Sequence, residues 1–176
     1  MTLEERIKSK IRDVPDFPKE GIVFKDITPL LKDVALSKQI TSALAKPWED
    51  ANVQAIVGIE SRGFIWGNAL AQHMEIPFIP IRKKGKLPAE TFSYAYDLEY
   101  GKAEIELHKD ALEEEMRVLI HDDLLATGGT AKASAQLVSL AGAKPIGFSF
   151  LVALDFLEGH LELQEISSAI KSLISY

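Results

Sequence analysis

Continuous apolar runs alternate with stretches of helical spacing through most of the chain, and this alternation limits the possible folds more than any other feature of the sequence. Strands that are apolar on both faces and separated by helices are typical of a parallel sheet with helices on both sides. We predict buried strands at 53–59, 76–81, 117–122 and 146–154, with helices at 64–73 and 129–141. The predicted fold class is therefore α/β, with a central, mostly parallel sheet flanked by helices.

The N-terminal part of the chain has a different pattern. Thr2 and Glu5 have the spacing of a capping box, and apolar residues recur every four positions, which predicts a helix to about Arg12. Residues 13–31 are rich in proline and contain two aromatic residues, so we expect an ordered, packed loop there. A second helix is predicted at 36–45.

Length and composition exclude several classes of protein. The 176 residues fit one domain, and 20 basic against 26 acidic residues give a formal net charge of −6, which disfavours non-specific binding to nucleic acid. The lack of cysteine excludes disulfides, iron–sulfur clusters and a thiol nucleophile, and the four histidines are too scattered for a local metal-ligand motif. With no apolar run of membrane-spanning length and a charged N-terminus, we expect a cytoplasmic protein with no membrane partner.

Two adjacent acids, Asp122 and Asp123, follow the predicted strand 117–122, and ligands of parallel sheets bind at the carboxyl ends of the strands. The next residues form a glycine-rich turn that opens a helix, where bare backbone N–H groups and the helix dipole favour an anion. This loop comprises Ala126, Thr127, Gly128, Gly129 and Thr130. Either half alone is more often an ordinary strand–turn–helix connection. Together, the acids and the loop favour a sugar phosphate, with the acids accepting hydrogen bonds from sugar hydroxyls.

The string from Asp122 to Thr130 resembles the phosphoribosyl-pyrophosphate signature of type I phosphoribosyltransferases. The resemblance continues over nearly the whole chain in the family's order. Residues 16–31 are similar to the N-terminal base-pocket segment, or hood, residues 58–67 to the pyrophosphate loop, and residues 82–112 to the lid. The resemblance implies the type I phosphoribosyltransferase fold over residues 1–176, with a hood segment and a lid loop.

Arg62 and the basic run after residue 81 gain roles from this resemblance. Without the resemblance, a lone arginine such as Arg62 is more often a surface ion-pair partner, and a basic run is often a solvated face. The resemblance makes Arg62 a pyrophosphate contact in a loop that begins with Glu60 and Ser61, whose peptide bond is expected to be cis. Four cations, Arg82, Lys83, Lys84 and Lys86, lie in the lid segment. Of these, Arg82, Lys83 and Lys86 are expected to neutralise the departing diphosphate while the lid excludes water.

The remaining site residues are implied by the resemblance alone. Glu99 is the lid carboxylate expected to manage the proton of the base, and Tyr100 is expected to shape the closed site. Val23, Phe24 and Lys25 are expected to hold the base, chiefly through main chain. Many family members have arginine where Lys25 stands, and an apolar residue where His121 stands. We predict that His121 is a packed histidine without a catalytic role.

The implied reaction is transfer of the 5-phosphoribosyl group from phosphoribosyl pyrophosphate to adenine, because residues 16–31 resemble the adenine-specific members best. The resemblance also implies Mg²⁺ held mainly by substrate, with Asp122 or Asp123 as its protein contact, and a homodimer in which Arg82 reaches the neighbouring site. Two alternatives are a non-catalytic sensor of the same ligand and an enzyme for another nucleobase. A sensor would not need Arg62 or Glu99. Assays with each base would distinguish an adenine enzyme from an enzyme for another nucleobase.

Overall fold

A seven-stranded sheet forms the centre of the computed structural model, which describes residues 1–97 and 101–176. The strands of the chain are β1 (Arg12–Pro15), β2 (Val23–Asp26), β3 (Ala55–Ile59), β4 (Phe78–Lys83), β5 (Thr91–Asp97), β6 (Lys102–His108), β7 (Arg117–Leu125), β8 (Lys144–Ala153) and β9 (Ile170–Ser175). The helices are α1 (Leu3–Lys10), α2 (Val34–Ala45), α3 (Gly63–His73), α4 (Gly129–Leu140) and α5 (Gly159–Gln164). Three short 3₁₀ helices add Thr28–Lys32, Lys46–Trp48 and Asp155–Leu157.

The order of strands across the sheet is β5-β6-β4-β3-β7-β8-β9, and the pairs from β4 to β9 are parallel. Helices α2 and α3 bury Ile40 and Trp66 against one face, and helices α4 and α5 bury Leu137 and Leu163 against the other. A strand that is covered on both faces must be apolar along its length, as β3 is. The predicted α/β class and the mostly parallel, helix-flanked sheet are confirmed.

Local signals placed the first two helices well. In α1 the Thr2 hydroxyl accepts a hydrogen bond from the Glu5 N–H at 3.2 Å, and the Glu5 carboxylate accepts one from the Thr2 N–H at 2.7 Å. This is the predicted capping box. Helix α2 begins at Val34, two residues before the predicted start, because the Asp33 carboxylate caps it by accepting a hydrogen bond from the Leu36 N–H at 3.0 Å.

The prediction of a loop over residues 13–31 is wrong in part. Strands β1 and β2 pair antiparallel in a separate two-stranded sheet, and a 3₁₀ helix, Thr28–Lys32, follows. Proline is compatible with this sheet because Pro15 stands at the end of an edge strand, where no ladder donor is needed. We use the term hood hairpin for residues 12–26.

The lid segment is also more regular than the expected loop. Strand β4 continues to Lys83, and β5 and β6 form an antiparallel hairpin that extends the sheet. Every second side chain of β5 packs on the core beside α4, namely Phe92, Tyr94 and Tyr96. Two further differences are that β7 runs to Leu125, so the acid pair lies within the strand, and that β9 was not predicted.

Within the described ranges, 1–97 and 101–176, no helix combines the length and the apolar character needed to cross a bilayer. Glu99 and Tyr100, which the sequence analysis placed in the lid, lie outside the described residues.

Candidate functional site

The carboxyl ends of three neighbouring strands bring the predicted site residues to one edge of the sheet. In the register of the ladder, Gly58 of β3 lies opposite His121 of β7, and Ile59 lies opposite Ile81 of β4. The residues that follow these positions, which include Arg62, Arg82 and the acid pair, therefore emerge side by side. The pyrophosphate loop, the start of the lid segment and the acid pair therefore lie at one edge of the sheet.

A cleft of about 610 Å³ opens at this edge. Its lining includes five of the predicted site residues: Glu60, Arg82, Lys83, Asp122 and Thr130. It also includes Tyr96, Lys84, Lys102 and Glu104, three of which come from the hairpin that the sequence analysis took for a loop. A smaller cavity of about 80 Å³ adjoins it, enclosed by residues 126–130 together with Asp122 and Phe150.

Asp123 is 3% exposed, and Asp122 is half-buried at the cleft. The Asp122 carboxylate accepts a hydrogen bond from the Asp123 N–H at 2.8 Å, and Gly63 leaves room for it, since a Cβ there would stand 2.8 Å from Asp122 Oδ1. Burial raises the pKa of Asp122 well above 3.8, and the adjacent Asp123 charge raises it further. Burial also raises the pKa of Asp123, although the Arg62 guanidinium opposes this. Donors from a ligand, such as sugar hydroxyls, would stabilise these carboxylates.

Arg62 links the acid pair to the hood hairpin. Its Nε lies 3.1 Å from Asp123 Oδ2, and its guanidinium carbon lies 4.7 Å from the centre of the Phe24 ring. The ion pair is close, but its alignment leaves Asp123 Oδ2 without a hydrogen bond from the described residues. Arg62 Nη1 is likewise buried with no partner in the described ranges. Such an orphaned donor is costly unless a ligand oxygen satisfies it.

Glu60 organises the basic end of β4. The Glu60–Ser61 peptide bond is cis, as the resemblance implied. The Glu60 carboxylate accepts hydrogen bonds from Arg82 Nη2 at 3.1 Å and from the Lys83 N–H at 2.9 Å. The Arg82 hydrogen bond, followed by the Lys83 N–H, lowers the pKa of Glu60 against the effect of burial. Arg82 is therefore oriented by Glu60, while Lys83, which lines the cleft, and Lys86 are both exposed.

A buried carboxylate that the sequence analysis missed orders the same turn. Glu106 of β6 is 7% exposed, and it accepts a hydrogen bond from the Gly85 N–H at 2.9 Å. Gly85 has φ +78°, a conformation that glycine adopts readily. The alternation of apolar and polar residues along 91–97 and 102–108 was the signal that could have predicted this hairpin.

The loop over residues 126–130 has the geometry expected of an anion cradle. Gly128 is left-handed, with φ +86°, and α4 begins immediately after it. No side chain of the described residues caps the start of α4, so its first N–H groups remain available. The Tyr96 and Thr130 hydroxyls lie 3.0 Å apart, which ties the β5–β6 hairpin to the loop.

The hood hairpin carries Val23, Phe24 and Lys25 to the same region. Val23 is exposed, and Phe24 packs edge-on against Phe17, with ring centres 5.1 Å apart. Lys25 Nζ pairs with Asp13 Oδ1 at 2.7 Å and lies 4.0 Å from the centre of the Tyr176 ring. Tyr176 therefore supports the hood hairpin, a contact that no local sequence signal could predict.

His121 is fully buried in the core, in agreement with the predicted packed histidine. Burial lowers the pKa of His121 to about 4, and its Nδ1 shares a 3.3 Å hydrogen bond with the Ser149 hydroxyl.

The described residues include no cluster of three or more His, Cys, Asp or Glu side chains that could hold a metal ion. Mg²⁺ in enzymes commonly keeps its waters and binds one or two carboxylates together with substrate phosphates. The acid pair fits that role, because Asp123 Oδ2 has unused acceptor capacity.

Known proteins match this chain over nearly its whole length. A family model described as the phosphoribosyl transferase domain matches residues 27–170. The adenine phosphoribosyltransferase of Cytophaga hutchinsonii is 51% identical over 174 residues, covering 99% of this chain and 96% of that protein. The crystal structure of adenine phosphoribosyltransferase from Thermoanaerobacter pseudethanolicus is 50% identical with a TM-score of 0.95, covering 99% and 100% of the two chains. The Saccharomyces cerevisiae enzyme, complexed with an imino-altritol bisphosphate and adenine, is 36% identical with a TM-score of 0.91, covering 97% of this chain and 98% of that one.

Proposed function

This chain belongs to the phosphoribosyltransferase family, within it to the adenine phosphoribosyltransferases, and we propose which part of the substrates each of its site residues binds. It has the type I phosphoribosyltransferase fold and transfers the 5-phosphoribosyl group from phosphoribosyl pyrophosphate to adenine, giving AMP and pyrophosphate in purine salvage. Curated relatives at about half identity over nearly the full chain are adenine enzymes, which decides against a sensor or another base.

The observation that carries the site proposal is the junction of the acid pair with the anion cradle at one sheet edge. The 5′-phosphate binds to the N–H groups and hydroxyls of residues 126–130, where the loop offers the positive end of α4. Asp122 and Asp123 accept hydrogen bonds from the ribose hydroxyls, next to the carbon at which positive charge develops. Their buried position strengthens this electrostatic effect.

The diphosphate occupies the 610 Å³ cleft between the acid pair and the basic segment 82–86. Arg82, held by Glu60, and Lys83 and Lys86 stabilise the charge that the diphosphate gains as its bond to ribose lengthens. Arg62 adds a buried donor, Nη1, whose partner would be a ligand oxygen. When bound, Mg²⁺ supplies further neutralisation of the diphosphate, with Asp122 or Asp123 as the carboxylate in reach.

Adenine binds beside the hood hairpin. Val23, Phe24 and Lys25 present main chain and the Phe24 ring, and the contact between Phe24 and Arg62 joins the base region to the ribose acids. Glu99, outside the described residues, takes up the adenine proton as N9 bonds to the ribose carbon. Tyr100, also outside them, completes the closed lid that keeps water from the sugar.

A direct assay tests the reaction and its base. The purified protein with Mg²⁺ and phosphoribosyl pyrophosphate should release pyrophosphate and form a nucleotide with adenine, and should do so far more slowly with hypoxanthine, guanine or uracil. Rates that do not favour adenine would contradict the assignment.

Several broader properties are proposed from the family resemblance. We place the enzyme in the cytoplasm as a single domain that forms a homodimer and binds neither nucleic acid nor membrane. Light scattering in solution checks the dimer, and a monomeric mass with full activity would overturn the idea that Arg82 serves the neighbouring site.

A further inference from the structure

Helix α5 touches the anion cradle with its backbone. Gly159, the first residue of α5, is buried against residues 126–128. A Cβ at Gly159 would overlap the Ala126 carbonyl oxygen and stand 2.9 Å from the Gly128 nitrogen, distances that real Cβ atoms do not adopt. In the opposite direction, a Cβ at Gly128 would lie 2.5 Å from the Gly159 carbonyl oxygen. The two glycines thus allow two stretches of main chain to meet without side chains between them.

Side chains hold α5 in this position from two sides. Leu163 is fully buried in the core shared with α4. On the surface, Lys132 of α4 lies 2.8 Å from Glu162 and 3.0 Å from Glu165, and these two carboxylates raise the pKa of Lys132 to about 12. Lys132 stands at the start of α4, where its N–H donates to the Gly128 carbonyl at 2.9 Å.

Resting on the proposed function, we propose that Gly159 is a positioning residue for the 5′-phosphate, and that the Lys132–Glu162–Glu165 cluster holds α5 against the phosphate loop. A main-chain cradle recognises phosphate only if its N–H groups keep their directions, and backbone alone cannot keep them fixed. The close main-chain contact at Gly159 restricts the movement of residues 126–128. Any bulk at residue 159 displaces the N–H groups that face the ligand.

Affinity for AMP relative to adenosine is the quantity that tests this, because the two ligands differ only in the phosphate. With calorimetry, we expect Gly159→Ala to weaken AMP binding by about 10-fold or more and to change adenosine binding by less than about twofold. The matched control is Lys144→Met, which breaks the ion pair with Glu115 at the far end of β8 and should leave both affinities unchanged.

A second variant avoids dependence on the folding of Gly159→Ala. The double variant Glu162→Gln with Glu165→Gln removes two negative charges near a phosphate site, so electrostatics alone would tighten AMP binding. If α5 positions the loop, loss of these ion pairs should instead weaken AMP binding. We expect AMP binding to weaken by about threefold and adenosine binding to be unaffected.

The outcomes separate the two proposals. If the unmodified enzyme does not prefer AMP to adenosine, or if Thr130→Val leaves that preference intact, the loop is not the phosphate site and the proposed function of residues 126–130 fails. If the preference exists and depends on Thr130, but both α5 variants retain it or the double variant binds AMP more tightly, the positioning role of α5 is overturned.

Discussion

Arg62 and Asp123 form an ion pair at the sheet edge, with Nε and Oδ2 3.1 Å apart, although the two residues are 61 positions apart in the chain. The pair joins the loop after β3 to the acid pair of β7. Because Arg62 also lies over the Phe24 ring, the same guanidinium touches the regions that we assign to ribose and to base. Its buried Nη1, unpartnered within the described ranges, is the donor that a substrate oxygen would complete.

Removal of the Asp123 carboxylate is expected to slow the reaction strongly. Asp123→Ala should lower kcat/KM by about 10²-fold, since one preorganised electrostatic contact near the developing charge is lost. Steady-state assays of pyrophosphate release measure this, with Glu115→Ala as a control at the opposite end of the sheet. Unchanged turnover in Asp123→Ala would show that the ribose lies elsewhere.

Asp122→Asn is expected to be more stable and less active than the unmodified protein. Because the folded-state pKa of Asp122 is raised, ionising this carboxyl destabilises the native state, and the cost grows as the pH rises from 3.8 and is complete above the folded-state pKa. The asparagine keeps the acceptor for the Asp123 N–H without the buried charge. We expect a gain of about 1–2 kcal/mol, or roughly 2–8 °C in Tm, together with a large loss of kcat.

The pH dependence of that gain provides its own check. As the pH falls through the raised folded-state pKa of Asp122 toward 3.8, the carboxyl of the unmodified protein becomes neutral in both states, and the difference in Tm should disappear. A difference that stays constant between neutral and acidic pH would contradict the assigned cause.

His121→Val tests the buried histidine. Its pKa is about 4 in the folded state and 6.5 in the unfolded state, so its stabilising effect is complete above pH 6.5 and is lost as the pH falls toward 4. That gap of about 2.5 pH units corresponds to roughly 3 kcal/mol at the lower end. We therefore expect His121→Val to resist acid unfolding better, with the pH profile of kcat unchanged. A shifted kcat profile would instead give His121 a part in proton transfer.

Glu99→Ala should reduce kcat more than it weakens binding of phosphoribosyl pyrophosphate, because its proposed partner is the adenine proton in the transition state. The matched control is Asp97→Ala, an exposed carboxylate at the end of β5. Single-turnover rates and equilibrium binding separate the two quantities. Equal losses in both would make Glu99 a structural residue of the lid.

Arg62→Lys keeps the charge and loses the planar guanidinium. We expect kcat/KM to fall by about 10-fold or more, because lysine cannot contact Asp123, the Phe24 ring and a ligand oxygen together. Measurement of KM for each substrate identifies which contact matters. A lysine variant with unchanged constants would mean that charge alone is needed at this position.

Local patterns in the sequence were enough to predict the class of fold and the chemistry of the sheet edge. Buried strands that must be apolar on both faces, the capping box at Thr2, and the string from Asp122 to Thr130 are all local patterns, and each was recognisable without long-range information. Three other features could be seen only in the folded molecule: the hairpin β5–β6, the support of Lys25 by Tyr176, and the contact of Gly159 with the phosphate loop. These features depend on residues far apart in the chain, and their energies arise from burial and close packing that only the folded molecule creates.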